Sequence, residues 1–170
     1  AQFPNSYVGH IERFNPVFQT VTDAHPGFID IQRLSVPTSR CTDIDVIDDL
    51  MIHDLDLVLH RFPGDVVDVR AKGLGITSDT PDIVNARLEI ITTCGNSITV
   101  NITASRVSEN KLRTWRMVEN QNYWSLDLMD RLVRHVDWST GTANPQTIDV
   151  PNVDPLTQEH TAFFERIHGT

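Results

Sequence analysis

Residues 43–64 decide the fold: Asp43-Ile44-Asp45-Val46-Ile47-Asp48-Asp49-Leu50-Met51-Ile52-His53-Asp54-Leu55-Asp56-Leu57-Val58-Leu59-His60-Arg61-Phe62-Pro63-Gly64. Ile44, Ile47, Leu50, Met51, Leu55, Val58, Leu59 and Phe62 recur at helical spacing and cover a broad face. That breadth predicts a largely buried helix over 43–62. Thr42 is the predicted N-cap, and Asp43 and Asp45 suit the positive end of the helix dipole. Pro63-Gly64 ends the helix, and beyond it the period of the pattern drops from helical to alternating.

Downstream, Val67, Val69, Ala71 and Gly73 share one parity. Val84, Ala86, Leu88 and Ile90 share another, opposed by Asn85, Arg87 and Glu89. Ile98, Val100, Ile102 and Ala104 repeat the pattern, and Cys94-Gly95-Asn96 reads as the hairpin turn between the two. Further strands are predicted near 112–118, 123–128, 132–138 and 147–150. Upstream, residues 7–14 read as a short strand. Asn15-Pro16 reads as a helix start, running to His25-Pro26-Gly27. A strand at 28–36 carries Ile29 and Ile31 on one parity and Leu34 and Val36 on the other. A bulge near Gln32-Arg33 would account for the switch. Asp154-Pro155 opens a last helix, which Gly169 would end. The result is a single α+β domain over 1–170. Its open, mostly antiparallel sheet has helices packed on one face.

Composition agrees with a globular domain. The 170 residues are 39% hydrophobic and 22% charged, with a mean hydropathy of −0.23. Fourteen Lys and Arg against 23 Asp and Glu give a net charge of −9, which argues against nucleic acid or anionic membranes as partners. No apolar run is long enough to span a bilayer, and no signal peptide is visible. Cys41 and Cys94 fit a reduced, cytoplasmic protein better than a disulfide scaffold. Gly73-Leu74-Gly75 lacks the third glycine and the strand–turn–helix setting of a dinucleotide loop.

The chemistry-bearing stretch lies inside the long helix. Asp49 and His53 are four apart, so they would share a face and could touch, with Asp45, Asp56 and His60 near the same stripe. A carboxylate beside an imidazole orients the ring and raises its pKa, as suits a general acid/base. The alternatives are a solvated acidic stripe, or two ligands of a metal site that lacks a legible third. Arg13, Arg33, Arg40 and Arg106 are the cations of interest, each with an ordinary ion pair as its plainer reading. His10, His25, His135, His160 and His168 form no constellation. Trp115, Trp124 and Trp138 fall among the strands and suit a core or an interface.

Three segments resemble the Gfo/Idh/MocA oxidoreductases, in family order. Residues 8–16 (VGHIERFNP) resemble the junction between the family's two domains. Residues 48–59 (DDLMIHDLDLVL) resemble its active-site helix. Residues 102–108 (ITASRVS), with Lys111 and Arg113 after them, are similar to a strand and turn of its C-terminal sheet. The first two look most like the branch that includes nucleotide-sugar 3-dehydrogenases. The resemblance implies that the chain is a C-terminal substrate-binding and oligomerisation domain. Residues 1–15 would be a junction strand from an absent Rossmann domain, and further helix would normally follow the Pro155 helix. It further implies an NAD(P)-dependent dehydrogenase acting on a hydroxyl of a sugar, nucleotide sugar or polyol. His53 would be its proton acceptor, Asp49 would orient it, and Arg13, Asn15 and Arg33 would border the substrate. No metal is implied. The cofactor-binding residues would lie in the absent domain, so the chain by itself would bind no NAD or NADP and would be inactive. A homo-oligomer through the sheet face is expected. The competing readings are a stand-alone binding or dimerisation module and a metal-dependent hydrolase built on Asp49 and His53.

Overall fold

A computed structural model describes residues 8–38, 44–77 and 79–168. Eight strands form one sheet: β1 (Phe28–Leu34), β2 (Gly64–Leu74), β3 (Ile83–Thr92), β4 (Ser97–Ser105), β5 (Leu112–Glu119), β6 (Asn122–Asp127), β7 (Leu132–Asp137) and β8 (Asn144–Ile148). Their spatial order is β2-β3-β4-β1-β5-β6-β7-β8. Only β1 and β4 run parallel; every other neighbouring pair is antiparallel. The crossover from β1 leads through the helical layer and out to the β2 edge, from which two hairpins return the chain to β1's side.

One face of the sheet is apolar. Ile29, Ile31, Val84, Leu88, Ile90, Val100, Ile102, Trp115, Met117 and Val133 are all buried on it. They meet Val17, Phe18, Val46, Met51, Leu57, Val58 and Phe62 from the helical layer. On the other face the alternate positions, among them Asp30, Gln32, Asn85, Arg87, Glu89, Asn101 and Arg116, are half-buried or exposed. The α+β reading, with one face covered and one open, is the observed architecture.

Several local expectations change. Residues 11–14 form a 3-10 turn (Ile11–Phe14) rather than a strand, and a second 3-10 turn (Pro16–Thr20) follows directly. Asn15 caps it as expected, its side chain accepting from the Val17 amide at 3.2 Å, but the turn is shorter than predicted. β1 has no bulge. Its burial alternates without a break, and Arg33 itself occupies the buried parity after Ile29 and Ile31. β2 was expected to have a covered face, yet all eleven of its residues are exposed, because it is the outermost strand beyond the edge of the helical layer.

The decisive helix also differs at its start. Residues 47–51 form a π-helical turn (Ile47–Met51), in which the Ile52 amide donates to Ile47 O, five residues back. An ordinary α-helix, α1 (Ile52–Arg61), continues from it. Asp45 is the cap: its Oδ1 accepts from the Ile47 and Asp48 amides at 2.9 and 3.1 Å. Thr42, Asp43, Arg40 and Cys41 lie outside the described residues, as do Tyr7 and Gly169. The helix is less buried than its pattern suggests. Ile52 and Leu59 stay exposed, while Met51, Asp54, Leu57 and Val58 face the sheet.

Turn chemistry matches the sequence at two points. Gly95 takes φ +83° in the β3–β4 hairpin, a left-handed conformation that glycine adopts without strain. Asp154 caps the last helix, α2 (Pro155–His168), accepting from the Thr157 amide at 2.9 Å. Gly64 answers a different need. A Cβ there would lie 2.2 Å from Ile91 O, so only glycine lets β2 start this close to β3.

Candidate active site

Arg33 is the starting point, because a guanidinium at a core position must find its charge partners within the fold. It is 2% exposed. In register opposite it on β5 stands Arg113, so two cations meet on the covered side of the sheet. Glu12, from the first 3-10 turn, joins them. Its Oε1 accepts from Arg33 Nη1 at 3.0 Å and from Arg113 Nη1 at 3.2 Å. Asn15 Nδ2 donates to the other Glu12 oxygen at 3.2 Å. From α1, Asp54 takes the Arg33 fork in two bonds: Nε to Oδ2 at 2.6 Å and Nη2 to Oδ1 at 2.9 Å. Trp115 Nε1 completes the set with a 3.1 Å bond to Asp54 Oδ1.

This network ties the 3-10 turn, β1, β5 and α1 at one point. Burial alone would raise Glu12, but Arg33, with Asn15 and Arg113, holds its carboxyl below the ordinary value. Burial would likewise lower Arg33, yet Asp54 and Glu12 keep its pKa raised. Glu12 and Arg33 therefore both stay ionised in the folded chain near neutral pH.

Arg33, Glu12, Asn15 and Arg113 line a cavity of about 440 Å³. Leu34, Leu50, Leu128 and Pro155 give it apolar walls, and Lys111 and Arg131 add further cations. The volume suits a small-molecule site. His53 and Asp49 are not among its lining residues. His53 is half-buried and within electrostatic reach of Arg33, Glu12, Asp54 and Arg113.

The imidazole differs from the expectation in two ways. Its Nδ1 is buried without any hydrogen-bond partner, and no hydrogen bond links it to Asp49. Asp49 lies on the π turn, whereas His53 lies on the regular helix that continues from it. The expected upward shift is also reversed: burial, then the Arg33 charge, pushes the His53 pKa below its ordinary value.

The predicted border residues fall into two groups. Asn15 and Arg33 share the first cavity. Arg13 does not; it pairs with Asp56 through two bonds, Nε to Oδ2 at 2.7 Å and Nη2 to Oδ1. His10 Nδ1 lies 3.5 Å from the same carboxylate. Arg13 lines a second cavity of about 400 Å³, with His25, His60 and Arg61. Arg106 has a structural task, bonding Asp82 Oδ1 at 2.7 Å. The acidic stripe is thus distributed: Asp45 caps the helix, Asp54 and Asp56 form ion pairs, and Asp48 is exposed.

Sequence reading missed Glu12, Asp54, Trp115 and Arg131. A signal was present for Asp54, which falls on the helix face shared with Met51, Leu57 and Val58. Arg33 likewise continues the Ile29–Ile31 parity. Two opposite charges at core positions of adjoining elements call for each other. Among the described residues, no three His, Cys, Asp or Glu side chains gather as metal ligands. Among the described residues no helix is long and apolar enough to cross a membrane.

No family model matches the chain. It is 32% identical to the UDP-N-acetylglucosamine 3-dehydrogenase of Acidithiobacillus ferrooxidans, over 94% of the chain and 53% of that protein. A solved structure of that dehydrogenase superposes with a TM-score of 0.85 at 31% identity, covering 95% of this chain and 53% of the other. A levoglucosan dehydrogenase in complex with NADH and levoglucosan shares the fold: TM-score 0.73, 14% identity, 94% of this chain and 56% of the other. So does a dehydrogenase from Clostridium difficile: TM-score 0.73, 17% identity, 95% and 53%. The chain therefore spans about half the length of the curated relative it matches.

Proposed function

We propose that the chain, 32% identical to part of a UDP-N-acetylglucosamine 3-dehydrogenase, is a domain of the Gfo/Idh/MocA oxidoreductase type and forms the substrate-binding and proton-accepting part of an NAD(P)-dependent dehydrogenase. The substrate is a sugar, nucleotide sugar or polyol, oxidised at a hydroxyl. The observation that carries this reading is His53. It is half-buried beside an ionised network, its Nδ1 lacks a partner, and its pKa is lowered. A neutral imidazole at neutral pH is ready to accept a proton.

The roles of the residues follow. His53 takes the proton of the substrate hydroxyl, and Asp49 orients the ring when substrate is in place, supplying the partner that Nδ1 lacks. Glu12 and Asp54 hold Arg33 against the cavity, and Glu12 also holds Arg113. Asn15 and Arg33 border the substrate, and Arg13 fixes the first 3-10 turn to α1 through Asp56.

The dinucleotide does not fit among the described residues. β1 and β4 are the only parallel pair, and no glycine-rich turn leads from either into a helix. NAD or NADP would be held by residues outside this chain, and the chain alone would not turn over. Ile52, Leu59, Phe164 and Ile167 offer uncovered apolar surface for such a partner domain. The open polar sheet face suits self-association, which light scattering of the purified protein checks: a monomer contradicts it.

The test of function is reduced-nicotinamide absorbance with the full-length protein and a panel of sugars, nucleotide sugars and polyols. Oxidation of at least one class at a hydroxyl is expected. Silence across the panel with both cofactors overturns the reading.

A further inference from the structure

The first cavity is basic, although the chain is strongly acidic. Arg33, Lys111, Arg113 and Arg131 line it against one carboxylate, Glu12, in a protein of net charge −9. The four cations are not equivalent. Arg33 is consumed by Asp54 and Glu12. Arg113 spends one nitrogen on Glu12 and leaves the rest of its fork uncovered, its side chain 48% exposed. Among the described residues Lys111 has no ion pair. Arg131 makes one bond, to the Asn152 amide oxygen at 3.2 Å, with Asp154 near enough to feel its charge but not to pair with it.

Arg131 also departs from ordinary backbone. It sits at φ +52° in the β6–β7 turn, where glycine or asparagine would be less strained. Arg113 lies in β5 and Lys111 just before it, one strand nearer the centre of the sheet. Two separate elements thus bring three incompletely neutralised cations around one opening. Arginine forks and a lysine ammonium match phosphate oxygens.

We propose that Lys111, Arg113 and Arg131 form an anion clamp that holds the diphosphate of the substrate. The inference deepens the dehydrogenase reading and rests on it for the word substrate: it selects a nucleotide diphosphate sugar over a neutral sugar or polyol. The apolar walls and the Glu12 carboxylate leave the remaining surface for the uncharged part of the ligand. The clamp fixes specificity and position; it takes no part in bond making.

Calorimetry on the full-length protein tests it without any turnover. The probes are UDP, inorganic pyrophosphate, uridine and N-acetylglucosamine. UDP and pyrophosphate are expected to bind and to compete with each other, while uridine and N-acetylglucosamine bind at least about tenfold more weakly. Lys111→Gln and Arg131→Asn are each expected to weaken UDP about tenfold and to flatten its salt dependence. Asn suits the positive φ, so loss of binding in that variant is not loss of the turn. Arg134→Gln removes the same charge from an exposed position on β7 and is expected to leave UDP affinity unchanged. UDP affinity indifferent to both clamp variants overturns the proposal, and so does uridine binding as well as UDP. If the clamp fails while a neutral sugar is still oxidised, the dehydrogenase reading stands alone. If UDP binds through these residues but nothing is oxidised, the clamp stands and that reading fails.

Discussion

Asp54→Leu is the most informative single change. The carboxylate is 1% exposed and accepts three bonds, two from Arg33 and one from Trp115. Removing it leaves a guanidinium that is itself 2% exposed with Glu12 as its remaining buried partner. Breaking a buried pair on one side typically costs about 3–5 kcal/mol. Total stability is of the order of 5–15 kcal/mol, so the variant approaches unfolding. In urea, with a slope of about 2 kcal/mol per molar, the midpoint should fall by about 2 M. Arg33→Met should lose a similar amount, because it strands Asp54. The double variant Arg33→Met/Asp54→Leu removes both charges, and Glu12 keeps Arg113 and Asn15. It should recover most of the loss, since well-packed apolar side chains replace a buried pair at little cost. Urea unfolding of the four proteins gives a coupling energy, expected above about 2 kcal/mol. Single losses below about 1 kcal/mol, or losses that simply add, would refute the claim that this pair is a buried, mutually dependent unit.

Three further outcomes follow from the same contacts. Because burial and Arg33 depress His53, its neutral form persists below the ordinary value of 6.5, and the acid limb of the pH–rate profile should lie below that pH; a limb at or above 6.5 contradicts the assignment. The same shift has a stability consequence. The unfolded chain takes up a proton at His53 more readily, so folding is penalised as pH falls below about 6.5 and not above it. His53→Gln should flatten stability against pH in that window, as urea midpoints at several pH values would show. Gly64→Ala forces a Cβ to within 2.2 Å of Ile91 O, so the β2–β3 ladder must shift at its start. A loss of about 1–3 kcal/mol in thermal unfolding is expected, and an unchanged Tm contradicts the close approach.

The sheet was legible because its alternation is clean. In β3 and β4, Val84 to Ile90 and Ile98 to Ala104 fall on the covered face with no exception. The Gly95 turn and the Asp154 cap were legible because each rests on local chemistry. What failed was non-local. Arg33 read as a break in parity because a charge at a core position makes sense only once Glu12 and Asp54 are known to meet it, from 21 residues away on either side. Residues 11–14 read as a strand, but Glu12 must turn toward the sheet to bridge two arginines, and a 3-10 turn does that. The π turn was invisible to spacing arguments that assume an α-helical period, and spacing alone did not show that His53 Nδ1 would be left without a partner. Charge pairing across elements is decided by the fold, and sequence shows only its unpaired halves.

The central claim is that His53 is the proton acceptor of a dehydrogenase. Steady-state kinetics of His53→Ala in the full-length protein test it most directly, with dinucleotide affinity measured alongside. The account predicts a kcat lower by about 10²–10⁴-fold, with NAD(P) affinity retained. A variant that turns over like the wild type would contradict it.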